Sequence, residues 1–204
     1  MADTREIILD TAEKMFAELG IDGASLRAIT DAAGVNLGSI HYYFKTKDQL
    51  VAEVLVRRID QFNREGAAQL AGMKKYNLRP SARDAWLVMI GSMLEFRSQN
   101  PDYLQFIQQL LVSRKQILFD YVLTKTDELE ESLLDLLSEH FIPETRKRAV
   151  TRCRILLEML YQSILHFDKV KLSFNRSGIP LDDAQFAEEF ADMAASALSE
   201  FMEG

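Results

Sequence analysis

Cysteine occurs once, at Cys153, so the chain can close no internal disulfide and cannot build a zinc site from clustered thiolates. A single thiol in such a chain reads as a buried structural one. Basic charge is also short: 24 Lys and Arg stand against 31 Asp and Glu, a net charge of -7. That balance excludes a protein that coats nucleic acid through bulk positive charge, so any contact with nucleic acid has to be local and geometric. Histidines are three and scattered, at His41, His140 and His166. There is no glycine-rich phosphate loop, nucleophile elbow or metal-spaced pair, and the chain is expected to be no enzyme and to need no cofactor and no metal. No apolar run reaches membrane-spanning length, and the residues after Met1 are polar and acidic rather than a basic flank to an apolar core. A cytoplasmic location off the membrane is the expectation.

Four prolines and nine glycines in 204 residues leave long stretches without a helix breaker. The apolar spacing in those stretches is three and four rather than alternating, and 48% hydrophobic residues suffice for a sizeable core. The expected class is all-α with about nine helices. In the first of them, residues 4 to 19, Ile8, Ala12, Met15, Phe16 and Leu19 share a stripe, with Thr4 as N-cap and Gly20 as stop. Ser25 caps a second, short helix carrying Leu26, Ile29 and Ala33, and Gly34 ends it in a left-handed turn. A third helix follows over Leu37 to Phe44. Thr46 and Gln49 then have the spacing of a capping box that opens a fourth.

Two short helices joined by a glycine-containing turn of three or four residues form a helix-turn-helix, whose second helix can enter the major groove of DNA. On the third helix Ile40 and Phe44 fall on one side, toward Leu26, Ile29 and Val35, and Gly38, Ser39 and Tyr42 fall on the other.

The run from Ser25 through Gly34-Val35-Asn36-Leu37-Gly38-Ser39-Ile40-His41-Tyr42-Tyr43-Phe44-Lys45-Thr46-Lys47 to Leu50 resembles the DNA-binding domain of the tetracycline-repressor (TetR) family. Thr30 and His41 depart from that family's usual alanine and tyrosine. The resemblance implies an N-terminal three-helix helix-turn-helix domain over residues 1–50 and a helical ligand-binding and dimerisation domain over 51–204. It implies a homodimer bound to a palindromic duplex operator and released by a small apolar or aromatic effector. The implied DNA-facing set is Ser25, Arg27, Leu37, Gly38, Ser39, His41, Tyr42, Tyr43 and Lys47. Within it, Arg27 reaches a base edge or a phosphate, Leu37, Gly38, His41 and Tyr42 approach bases, and Ser39, Tyr43 and Lys47 hold phosphates. An activating or ligand-independent regulator, or a helical module that binds protein instead of DNA, are the alternative functions for this fold.

Beyond Leu50 the fourth helix runs to about Met73. A fifth is capped by Ser81 and broken at Asn100-Pro101, and a sixth follows. The seventh is expected over about 115–139, the eighth over about 143–170, and the ninth begins after Asp182 with Gln185 completing a capping box. Small residues along the ninth, Ala187, Ala191, Ala194 and Ala195, allow close approach of a helix. Together with the eighth it is expected to form half of an intermolecular four-helix bundle. Trp86, Met89, Met93, Phe96, Phe106, Tyr121, Met159, Tyr161 and His166 are the expected lining of an effector pocket, since aromatics and thioethers line adaptable apolar sites.

Overall fold

A computed structural model describes residues 3–75, 80–112 and 127–202. The helices are α1 (Thr4–Gly23), α2 (Leu26–Ala33), α3 (Leu37–Tyr43), α4 (Lys47–Lys75), α5 (Ala82–Gln99), α6 (Pro101–Val112), α7 (Asp127–Ser138), α8 (Arg146–Leu165), α9 (Phe167–Arg176) and α10 (Asp183–Leu198). The all-α class stands. Among the described residues, no helix is long and apolar enough to cross a membrane. Several ends follow from the local sequence as expected. Ser25 Oγ accepts from the Ala28 N–H at 3.0 Å, and Asp182 and Gln185 exchange both bonds of a capping box. Others differ. Asp3 rather than Thr4 caps α1, its carboxylate accepting from the Arg5 N–H. The helix expected over 143–170 is two, parted at His166 (φ -112, ψ 26). There the chain turns to bury Phe167, edge-on to Phe186 at 5.0 Å, with no proline or glycine to announce it.

The chain packs into two compact units, and their division does not follow the expected boundary at residue 50. The first holds the described residues of Met1–Gln61 and Gln99–Thr126, which adds the first half of α4 and all of α6 to the three N-terminal helices. Ile8, Ala12 and Phe16 of α1 are fully buried, as are Leu50, Val54 and Leu55 of α4 and Phe106 of α6, with the Phe16 and Phe106 rings 5.3 Å apart. The Tyr103 hydroxyl donates to the Leu55 carbonyl at 3.2 Å, and burial pushes its pKa up, so it stays a donor.

Glu13 joins α1 to α4. Its carboxylate is nearly buried and accepts from Arg57 Nη2 (3.0 Å), Arg58 Nε (2.8 Å) and Arg58 Nη2 (2.9 Å). Burial opposes the charge on Arg57, yet the hydrogen bonds it donates to Glu6 and Glu13 outweigh it and raise its pKa above the ordinary guanidinium value.

The second unit holds the described residues of Phe62–Ser98 and Asp127–Gly204. Its core includes an aromatic ladder from Phe167 through Phe186 and Phe190 to Trp86, with successive centroids 5.0, 5.7 and 6.1 Å apart. Gly66 of α4 lies so close to α7 that a Cβ there would meet the Leu129 methyls at 2.8 Å. Cys153 is buried in the same core, and burial pushes its thiol up to about 12. We expect it to resist iodoacetamide at pH 8 while the protein is folded and to react once it unfolds. Modification of the native protein at the rate of a free thiol would contradict that burial.

Candidate nucleic-acid interface

Helices α2 and α3 are set by the turn between them. Gly34 adopts φ 68, ψ 28, and its N–H bonds back to α2. A side chain there would be strained, which is why glycine stands at this point. Val35 N then donates to the Thr30 carbonyl at 3.0 Å. Thr30 is itself buried, and its hydroxyl donates to the Arg27 carbonyl, which lets this polar side chain occupy an interior site. Asn36 caps α3, its Oδ1 accepting from the Ser39 N–H (3.0 Å) and the Ser39 hydroxyl (3.3 Å). A Cβ at residue 38 would lie 3.0 Å from that Oδ1, so Gly38 gives the cap its room. Sequence reasoning passed over Asn36, although asparagine just ahead of a short helix is a favoured N-cap.

The two sides of α3 are sharply unlike. Ile40 and, at its end, Phe44 are fully buried. On the other side Tyr42 is 79% exposed and Leu37 42% exposed, and Gly38 and His41 are also open. Tyr43 is half-buried, its ring edge-on to Tyr42 at 5.0 Å and 6.1 Å from Phe44, while Arg27 and Ser25 are exposed on α2. Lys47 opens α4, at the end where helix N–H groups project. All nine residues expected to face DNA therefore lie on α2, α3 and the turns that start α2 and α4. One more cation stands with them: Lys45, exposed, at φ 55.

That conformation costs a non-glycine residue about 1–2 kcal/mol, against about 0.5–1 kcal/mol for the extra chain entropy of glycine. Lys45→Gly is expected to raise unfolding free energy by roughly 0.5–1 kcal/mol. Urea titration of both proteins checks it, and an unchanged or lower midpoint would show that the strain is relieved by interactions of the lysine.

The described residues among those expected to line an effector pocket fall in both units. Trp86, Met89 and Met93 are buried in the core of the second unit, with Phe96 and Tyr161 packed against it. Phe106 belongs to the first unit, where it stacks on Phe16, and Met159 is 49% exposed on α8. Tyr121 lies outside the described residues. Within the second unit two ring nitrogens, Trp86 Nε1 and His166 Nδ1, are buried with no hydrogen-bond partner.

Residues 8–54 match the family described as bacterial regulatory proteins, tetR family. The HTH-type transcriptional repressor KstR2 of Mycolicibacterium smegmatis is 43% identical over 54 residues, a stretch that spans 26% of each chain. The match thus covers about a quarter of that relative's length. KstR2 of Mycobacterium tuberculosis is 23% identical over 184 residues, 90% of this chain and 86% of the relative. Among solved structures, the transcriptional regulator FadR from Bacillus subtilis, in complex with stearoyl-CoA, superposes with a TM-score of 0.65 at 17% identity, covering 94% of this chain and 98% of that one. Residues 8–54 thus match the tetR family in sequence, and the described chain shares the fold of the Bacillus subtilis regulator.

Proposed function

We propose that the protein is a DNA-binding transcription regulator, a repressor that acts as a homodimer on a near-palindromic operator and leaves it when a small apolar effector binds. It is a regulator rather than a catalyst, and it works in the bacterial cytoplasm, where the chromosome is. The observation that carries this reading is the outer face of α3: Tyr42 and Leu37 stand exposed beside His41 and Gly38 on a helix whose inner side is wholly buried. A large apolar ring left in water gains nothing for the fold, whereas a groove full of base edges, methyl groups and phosphates gives it a partner. One short helix reads only a few base pairs, so a two-fold dimer is needed to specify a site. Selection of bound sites from random duplexes is the test. Two inverted half-sites about one helical turn apart are expected, and failure to shift any duplex in the presence of competitor DNA would defeat the reading.

The effector reading is supported by Trp86 Nε1 and His166 Nδ1. A buried N–H without an acceptor costs about 1–3 kcal/mol, and an effector oxygen would remove that cost. Trp86 can only donate, so the effector brings an acceptor such as a carbonyl on an apolar frame. FadR, which shares the fold, is solved in complex with stearoyl-CoA. Fatty acyl thioesters are therefore the first compounds to titrate into the operator complex. By linkage, operator DNA must weaken effector binding by the same factor that effector weakens DNA binding. Unequal factors would place the release outside this two-site scheme.

A further inference from the structure

Between α3 and α4 the backbone takes a conformation that a lysine does not favour. The Thr46 N–H donates to the Phe44 carbonyl, a bond that closes a γ-turn around Lys45, and φ 55 at that residue gives the turn its rare, strained form. Strain of this kind clusters where it serves a site. Here the turn aims a carbonyl. The Lys45 carbonyl oxygen lies 3.4 Å from Nδ1 of His41, which stands one helical turn back on the exposed side of α3. A carbonyl oxygen only accepts, so the contact is a hydrogen bond when Nδ1 carries the ring proton. In the neutral ring the other nitrogen, Nε2, is then a bare acceptor.

We propose that this contact makes His41 a hydrogen-bond acceptor toward DNA, so that it reads the amine of adenine or cytosine, with Lys45 as the residue that positions it. This rests on the DNA-binding reading above, in which His41 approaches a base, and it names the kind of base edge recognised. In the major groove adenine presents its N6 amine and cytosine its N4 amine. Guanine presents only the acceptors N7 and O6, and thymine an acceptor and a methyl. An Nε2 lone pair set against another acceptor would be enclosed without a donor, which carries the cost of an unsatisfied polar group. Arg27 and His41 thereby divide the code: the arginine only donates and suits guanine, and the pinned imidazole only accepts outward and suits the amine bases. Because the group that holds Nδ1 is main chain, the side chain at residue 45 matters through the φ it tolerates. Glycine keeps the turn at no strain, whereas a β-branched residue is expelled from it.

The test uses the full chain, isotope-labelled at the histidine nitrogens. Two-bond nitrogen–proton correlations in mildly alkaline buffer separate the two neutral tautomers, and His41→Gln assigns the signal among the three histidines. Nδ1–H is expected for His41 in the parent and in Lys45→Gly, which keeps the positive φ. Lys45→Val, which disfavours that φ, should shift the ring toward Nε2–H. On DNA, site selection with the parent and with His41→Ala identifies the base pair whose preference His41 sets. The base facing His41 there should be adenine or cytosine. Removing its amine should weaken the parent roughly 3- to 10-fold per half-site beyond any effect on His41→Ala. An Nε2–H ring in the parent, an Nδ1–H ring that survives Lys45→Val, or a preference for guanine or thymine at that position would overturn the proposal and leave His41 a base-reading residue. If His41→Ala alters no base preference, or if no duplex is bound, the reading on which the proposal rests fails with it.

Discussion

Glu13→Ala should cost the protein about 3 kcal/mol of stability, because it removes the acceptor of three hydrogen bonds and leaves two guanidinium groups partly buried without it. Side-chain exposures of 6% for Glu13 and 18% and 24% for Arg57 and Arg58 set the scale. Exposed ion pairs are worth little, but a carboxylate this enclosed is not relieved by solvent. Glu13→Gln keeps the shape and one acceptor oxygen, so its cost should be smaller. The change should appear in the unfolding of α1 with the first half of α4, which the clamp joins. Urea denaturation followed by circular dichroism reads it, and two steps are acceptable given two compact units. A shift under about 0.5 kcal/mol would mean that Glu6 and Asp10, which also pair with Arg57, suffice without Glu13.

That clamp marks the limit of what could be read from the chain. Features determined within one turn of backbone were legible: the Ser25 cap, the left-handed Gly34, the inward pair Ile40 and Phe44, and the box at Asp182 and Gln185. Each depends on chemistry that neighbouring residues carry themselves. Glu13 and its arginines lie 44 and 45 residues apart, and nothing in the spacing of α1 distinguishes a buried acid from a solvated one. The same blindness affected the packing of α6. Tyr103 and Phe106 look like pocket aromatics by type, yet their partners are the Leu55 carbonyl and Phe16. Composition names side chains able to line a cavity and does not say which of them the core uses. The break at His166 was invisible for another reason, since it follows from where Phe167 can be buried and not from any residue unable to be helical.

The residues expected to face DNA divide into two groups that mutation should separate. Arg27 is exposed on α2, with a planar fork that can hold a guanine edge through two hydrogen bonds. Tyr43 and Lys47 are half-buried at the end of α3 and the start of α4, and we propose that their hydroxyl and cation hold the phosphate chain rather than a base. Arg27→Ala should cost about 1–3 kcal/mol on the selected site and much less on unrelated duplexes, so preference at one base pair of each half-site relaxes. Lys47→Ala should weaken binding to all sequences by a similar factor and lower the slope of log affinity against log salt by about 1 for each half-site. Tyr43→Phe should share the uniform weakening but leave the salt slope unchanged, because a phenol releases no counterion. His41, exposed on α3, provides an internal check: as a proposed base-approaching residue, His41→Ala should behave like Arg27→Ala. Repeating site selection with each variant decides the matter. If Arg27→Ala lowers affinity for every duplex alike while Lys47→Ala changes the recovered sequence, the two groups are interchanged, and α4 rather than α2 reaches the bases.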